Sequence, residues 1–190
     1  RDSIYRGRQD FVYRVSIGEL PFITQMFPLG GKEGTETAGS VEGWNLKDKK
    51  LKLDTQPNGL PIRKAMMYDT KTTSNSVPYA VSTLPEHTEA ETNDSIQKSE
   101  KVGLGKMING RIDKVGDIDV FAFKGKADDQ IAAEVYARRL NSPLDSILRL
   151  TDGSGDVLEW NDDHVLKDVH LHKDSVGLMT HHADAYLLAK

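Results

Sequence analysis

The chain has 190 residues, 37% of them hydrophobic and 28% charged, and a formal charge of −4 at pH 7. That balance fits a folded chain in water and leaves no basic footprint for nucleic acid. There is no apolar run of about eighteen residues, so no membrane-spanning helix is expected, and the absence of cysteine removes disulfides, thiolate nucleophiles and thiolate zinc sites together.

Residues 10–17, Asp-Phe-Val-Tyr-Arg-Val-Ser-Ile, alternate well enough to predict a half-buried strand with Phe11, Tyr13 and Val15 on one face. Gly18 and Pro21 punctuate it, and residues 21–27 predict a second strand. The glycine cluster at 29–34 lacks the Gly-Lys-Ser/Thr ending and the following apolar helix of a phosphate loop, so it reads as a turn. Residues 39–43, 50–54, 60–68 and 77–82 are candidate strands separated by turn signals at 45–49, 56–59 and 70–75. Such spacing without a helix implies a small sandwich. Trp44 is expected in its core or at its edge rather than stacked on a ligand.

Residues 85–95 are polar and acidic, a linker by composition, and they carry Glu89, Glu91, Asn93 and Asp94. Asp117 and Asp119 follow in Gly-Asp-Ile-Asp. If folding brings the two segments together, the product is a set of hard oxygen donors without nitrogen or sulfur, the set that calcium takes. An extended 89–93 run places Glu89, Glu91 and Asn93 on one face, and Asp94 can join through a turn. So many carboxylates repel one another unless a cation sits among them. A solvated acidic linker is the alternative reading. Further strands are predicted at 106–112, 118–123, 130–137, 146–151, 157–160 and 185–189, with Asp152-Gly-Ser-Gly as a hairpin turn.

Asn93-Asp94, Asn109-Gly-Arg-Ile, Gly116-Asp-Ile-Asp-Val-Phe-Ala-Phe, Ser142-Pro-Leu-Asp-Ser-Ile-Leu-Arg-Leu, Asp152-Gly-Ser-Gly-Asp and Asn161-Asp-Asp, in this order, resemble the bacterial pre-peptidase C-terminal domain. That domain is a jelly-roll-like β-sandwich of secreted peptidases, similar to the collagen-binding domains of clostridial collagenases. The resemblance implies calcium ligation by Glu89, Glu91, Asn93, Asp94, Asp117 and Asp119. The two aspartates of the second segment stand closer together than the family pattern has them, which makes Asp119 the weaker match. The first segment, from Tyr5-Arg-Gly-Arg to Gly31, and Thr180-His-His-Ala-Asp look like large surface or secreted proteins of planctomycete-type bacteria, in which such domains alternate with immunoglobulin-like ones. The resemblance thus implies an all-β chain: residues 1–18 as a terminal strand segment resembling the end of a preceding pre-peptidase domain, 19–85 as an immunoglobulin-like sandwich, and 86–190 as a pre-peptidase-like sandwich. It also implies that the chain is a piece of a longer product and that residues 2–17 complete the 86–190 sandwich, within one molecule or in a strand-swapped dimer.

Asp168, His170, His172 and Asp174 would share one face of a strand, with His181 and His182 following, a set able to hold zinc or nickel; surface histidines are the plainer expectation. Catalytic motifs are missing. Gly153-Ser-Gly belongs to a hairpin turn rather than a nucleophile elbow, and Pro85-Glu-His-Thr-Glu offers one histidine where a zinc protease motif needs two. Tyr136, Arg138 and Trp160 could form an aromatic strip, although packing roles are the simpler reading. The expected function is a noncatalytic, calcium-binding accessory module of a secreted or cell-surface protein. Its partners would be an extracellular polymer or protein and neighbouring domains, with no nucleic acid and no membrane insertion. The alternatives are a purely structural repeat, or the accessory region of a peptidase whose catalytic domain lies elsewhere.

Overall fold

The computed structural model describes residues 7–163, 172–173, 179–180 and 184–190, and within them every regular element is a strand or a single 3₁₀ turn. The protein is all-β. Strands β1 (Phe22–Phe27), β3 (Thr37–Trp44) and β4 (Lys50–Leu53) form one antiparallel sheet in the order β1-β3-β4. Strands β2 (Gly30–Lys32), β6 (Val77–Ser82) and β5 (Ile62–Ala65) form a second in the order β2-β6-β5.

The two sheets share one core because alternate side chains of each strand point inward. Ile23, Met26, Val41, Leu51 and Leu53 come from the first sheet, Tyr79 and Val81 from the second. The Lys-Leu-Lys-Leu sequence of β4 shows the rule most clearly, with both leucines buried and both lysines exposed. Where the β1 register shifts, between Ile23 and Gln25, the Asn75 side chain takes the place of a neighbouring strand. Its Oδ1 accepts from Ile23 N at 2.6 Å, and its Nδ2 donates to Ile23 O at 2.9 Å. Arg63 is buried yet satisfied: it donates to the carbonyls of Leu60 (3.0 Å), Asp54 (2.7 Å) and Gln56 (2.7 Å), tying down the loop before β5.

Two sequence expectations need correction here. Residues 10–17 form no strand and pair with no sheet among the described residues. The glycine cluster is not simply a turn, since Gly30–Lys32 pairs in parallel with β6. A side chain at Gly30 would run into the Ala80 carbonyl, so the glycine serves the close backbone approach. Trp44 lies at the end of the central strand β3, 66% exposed and outside the core, its ring 5.8 Å from that of Phe22, its partner on β1.

After Ser82 the strands become shorter. β7 (Glu86–Thr88) pairs in parallel with β9 (Met107–Asn109), and β8 (Glu100–Lys101) in parallel with β10 (Phe121–Ala122). β11 (Ile131–Glu134) pairs antiparallel with β16 (Tyr186–Ala189), and β12 (Leu148–Thr151) with β13 (Val157–Asn161). β14 (His172–Lys173) pairs with β15 (Met179–Thr180). Ala137, Leu140, Ala185 and Leu187 are buried in this part. They are held by Asp184, whose carboxylate accepts from the backbone N–H of Ala137 (3.1 Å), Arg138 (2.6 Å) and Arg139 (3.2 Å) and from Arg139 Nε (2.7 Å).

Candidate metal centre

Two parallel strand pairs bring the acidic segments together. Glu89 N donates to Asn109 O (3.0 Å), continuing the β7–β9 ladder, and Val120 N donates to Asn93 O (3.0 Å) just ahead of the β8–β10 ladder. The 89–94 segment is thereby held between the 109–111 backbone and the start of β10. Glu100 braces it from beneath: its Oε2 accepts from Ala90 N at 3.0 Å, while its Oε1 meets His87 Nε2 at 2.8 Å. The second segment enters through Gly116, whose positive φ of 84° suits glycine. Asp117 Oδ2 then accepts from Asp113 N at 2.6 Å, closing a tight loop.

The result is two overlapping groups of carboxylates. Glu89, Glu91 and Asp119 offer oxygens within 4.8 Å of one another, and so do Glu91, Asp94 and Asp117, with Glu91 common to both. Asn93 is 1% exposed. Glu89 Oε2, Asp94 Oδ1, Asp117 Oδ1, Asp119 Oδ1 and both side-chain polar atoms of Asn93 are buried without a hydrogen-bond partner. Buried polar atoms are ordinarily satisfied, so the unpartnered carboxylate oxygens gathered here call for a cation or ordered water to supply the missing contacts. The donors are all hard oxygens apart from the Asn93 amide nitrogen, a set suited to a hard cation.

Electrostatics agree with the geometry. Burial first, then Asp119 and Glu91, push the Glu89 carboxyl up to about 7 against the pull of its backbone hydrogen bond from Arg111 N. Glu91 is raised by desolvation and by Asp117, Asp119 and Asp94; Asp119 is raised by burial and by Asp117, Asp113 and Asp94. Lys114 is a partial counter-charge, its Nζ 3.4 Å from Asp94 Oδ2 and 3.8 Å from Asp117 Oδ1. The Lys114 ammonium is itself raised, by its hydrogen bond to Asp94 first. One exposed lysine leaves most of the negative charge unanswered.

The five sequence-predicted carboxylates therefore lie at this place, Asp119, the weaker match, standing in one of the two groups, and Asn93 is buried in the same segment beside Asp94. The reading missed the surrounding parts: Asp113, Lys114, the Glu100 brace and the backbone of 109–111. Nothing in a polar loop sequence marks them, because their roles depend on the long-range strand pairing. Of the candidate histidines, His170, His181 and His182 lie outside the described residues, and of His172 only the strand backbone is described. Ser154 sits in the β12–β13 turn, where Asp152 Oδ1 accepts from Ser154 N (2.8 Å) and Asp156 N (3.0 Å). Trp160 is exposed, and Tyr136 lies under the Arg139 guanidinium at 4.2 Å.

No family model and no solved structure matches the chain. Among curated proteins, it is 42% identical over 76 residues to a probable subtilase-type serine protease of Deinococcus radiodurans, a match that covers 38% of this chain and 10% of that protein. The chain thus corresponds to about a tenth of its relative's length.

Proposed function

We propose that the chain is a noncatalytic accessory region of a secreted or cell-surface bacterial protein, and that Glu89, Glu91, Asn93, Asp94, Asp117 and Asp119 bind one or two calcium ions. The observation that carries this reading is the convergence of buried, unpartnered polar atoms from two segments otherwise remote in sequence. Calcium is favoured over magnesium because it accepts many protein oxygens in irregular geometry, whereas magnesium keeps water and demands an octahedron. The similarity to part of a protease fits an accessory role beside a peptidase domain, as does the resemblance of residues 86–190 to pre-peptidase C-terminal sandwiches. Residues 19–85 are then an immunoglobulin-like neighbour. We assign any contact with an extracellular polymer or protein to the exposed Phe22–Trp44 pair.

The test is a thermal melt of the chain with excess EDTA, Ca²⁺ or Mg²⁺. A ligand at a hundred times its Kd adds roughly 2.7 kcal/mol. The expected outcome is stabilisation by Ca²⁺ well above that by Mg²⁺, abolished by Glu91→Gln and by Asp117→Asn. Coincident melts in EDTA and Ca²⁺ overturn the reading.

A further inference from the structure

The loop that carries Asp117 also carries a lysine, and that loop is closed twice. Asp117 N donates to Lys114 O at 3.2 Å, and Asp117 Oδ2 accepts from Asp113 N at 2.6 Å. The Lys114 backbone is therefore fixed beside the acidic cluster, whereas its side chain is 63% exposed and free to turn about its four-carbon stem. As placed, Lys114 Nζ stands 3.4 Å from Asp94 Oδ2 and 3.8 Å from Asp117 Oδ1. Among the described residues no ion pair reaches Glu89, Glu91 or Asp119.

The two carboxylate groups are thus unequal. The group of Glu91, Asp94 and Asp117 already holds a monovalent cation of the chain's own. Its anchor is rigid, because the Asp117 side chain is 1% exposed, and Asp117 Oδ1 accepts no hydrogen bond. The group of Glu89, Glu91 and Asp119 holds no such cation, and Glu89 Oε2 and Asp119 Oδ1 are buried there without a hydrogen-bond partner. An exposed ammonium is held weakly, because water and salt screen it. A divalent ion at the same oxygens carries twice the charge and replaces it.

Resting on the cation-binding reading above, we propose that Lys114 is a tethered stand-in for the second of two ions. The first Ca²⁺ enters at Glu89, Glu91 and Asp119, and the second enters at Glu91, Asp94 and Asp117 only by displacing the Lys114 ammonium. The lysine spares the ion-free protein part of its repulsion at the second position and makes binding there weaker than at the first. It thereby sets the order in which the two positions fill.

The experiment is a calorimetric titration of the whole chain with Ca²⁺, for the native sequence, Lys114→Met and Lys114→Arg. The native chain should show a tight step followed by a weaker one. Lys114→Met should strengthen the weaker step about tenfold or more, the worth of removing a unit charge from about 4 Å away near a protein surface, and the tight step by less. Lys114→Arg keeps the charge and should match the native chain. Melts read the other half: Lys114→Met should be no more stable than the native chain in EDTA and should gain more from Ca²⁺. A Lys114→Met isotherm that superimposes on the native one, an equal gain in both steps, or native steps of equal strength overturns the proposal and leaves the cation site standing. Absence of Ca²⁺ binding in all three chains overturns the cation-binding reading and the proposal with it.

Discussion

The Arg111 guanidinium lies 4.1 Å from the centre of the Phe27 ring at the end of β1, while the backbone N–H of the same residue is donated to Glu89 Oε1. One residue therefore touches the first sheets with its side chain and the acidic cluster with its main chain. Arg111→Ala removes the first link and keeps the second. A loss of about 0.5–1 kcal/mol is expected, the range for an exposed cation–π contact, with cation affinity unchanged. Chemical denaturation and a calcium titration of the same variant separate the two effects; a large fall in affinity would show that the side chain also positions Glu89.

Glu89 gives the metal-free protein an unusual pH dependence. Its folded-state carboxyl stands near 7, above the ordinary glutamate value of 4.5, so between those values the folded state holds more protons than the unfolded one. Stability must then fall as pH rises through that window, the reverse of a salt-bridged carboxylate. In EDTA, melts at pH 5 should exceed those at pH 7.5 once other groups are matched by a Glu89→Gln control. Calcium binding should strengthen over the same interval, because the ion competes with a proton, and a calcium affinity indifferent to pH from 5 to 7.5 would contradict this.

Gly110 lies against the Glu89 carboxylate so closely that a methyl group there would overlap it. Gly110→Ala should force the carboxylate aside and weaken cation binding by about tenfold, equivalent to roughly 1.4 kcal/mol. The melt in EDTA should move little, because Gly110 is exposed. Isothermal titration of the variant checks this, and unaltered affinity would place Glu89 outside the ligand set.

Asp184 carries the heaviest structural role in the later strands. Its side chain is 1% exposed and receives three backbone N–H groups and the Arg139 guanidinium. Asp184→Ala leaves Arg139, itself mostly buried, with Glu134 (2.8 Å) and the Val135 carbonyl (2.9 Å) as its hydrogen-bond partners among the described residues, over the Tyr136 ring. Breaking a buried pair in this way costs about 3–5 kcal/mol. Urea unfolding should show that loss for Asp184→Ala and a smaller one for Asp184→Asn, which keeps an acceptor oxygen. Calcium should still stabilise whatever fraction remains folded.

How much of this was legible beforehand depends on whether a residue's role is local. The Lys-Leu-Lys-Leu alternation of β4 and the apolar run of β6 announce strands because burial follows directly from side-chain period. Gly30 misleads because glycine signals both turns and close backbone approach, and only the Ala80 carbonyl decides between them. Residues 10–17 carry a strand's pattern yet join no sheet among the described residues, since amphipathicity states a need for cover but not who supplies it. At the acidic cluster the ligand types were readable, and their meeting was inferred from resemblance rather than from residues. Parallel pairing of β7 with β9 and of β8 with β10 is long-range, and no local signal encodes it. Asp184 was invisible for the same reason, being placed by amides of a distant loop, and Arg63 because its partners are backbone carbonyls of the preceding loop, which no side-chain pattern marks.

The clustered carboxylates also act on timing, if the ion they await is calcium. Glu89, Glu91, Asp94, Asp117 and Asp119 must crowd together as this half closes, and Lys114 offsets little of their repulsion. Without a cation that crowding opposes closure of the region. With one bound, as proposed above, the same charges would become the clasp, so the region would stiffen on meeting the ion.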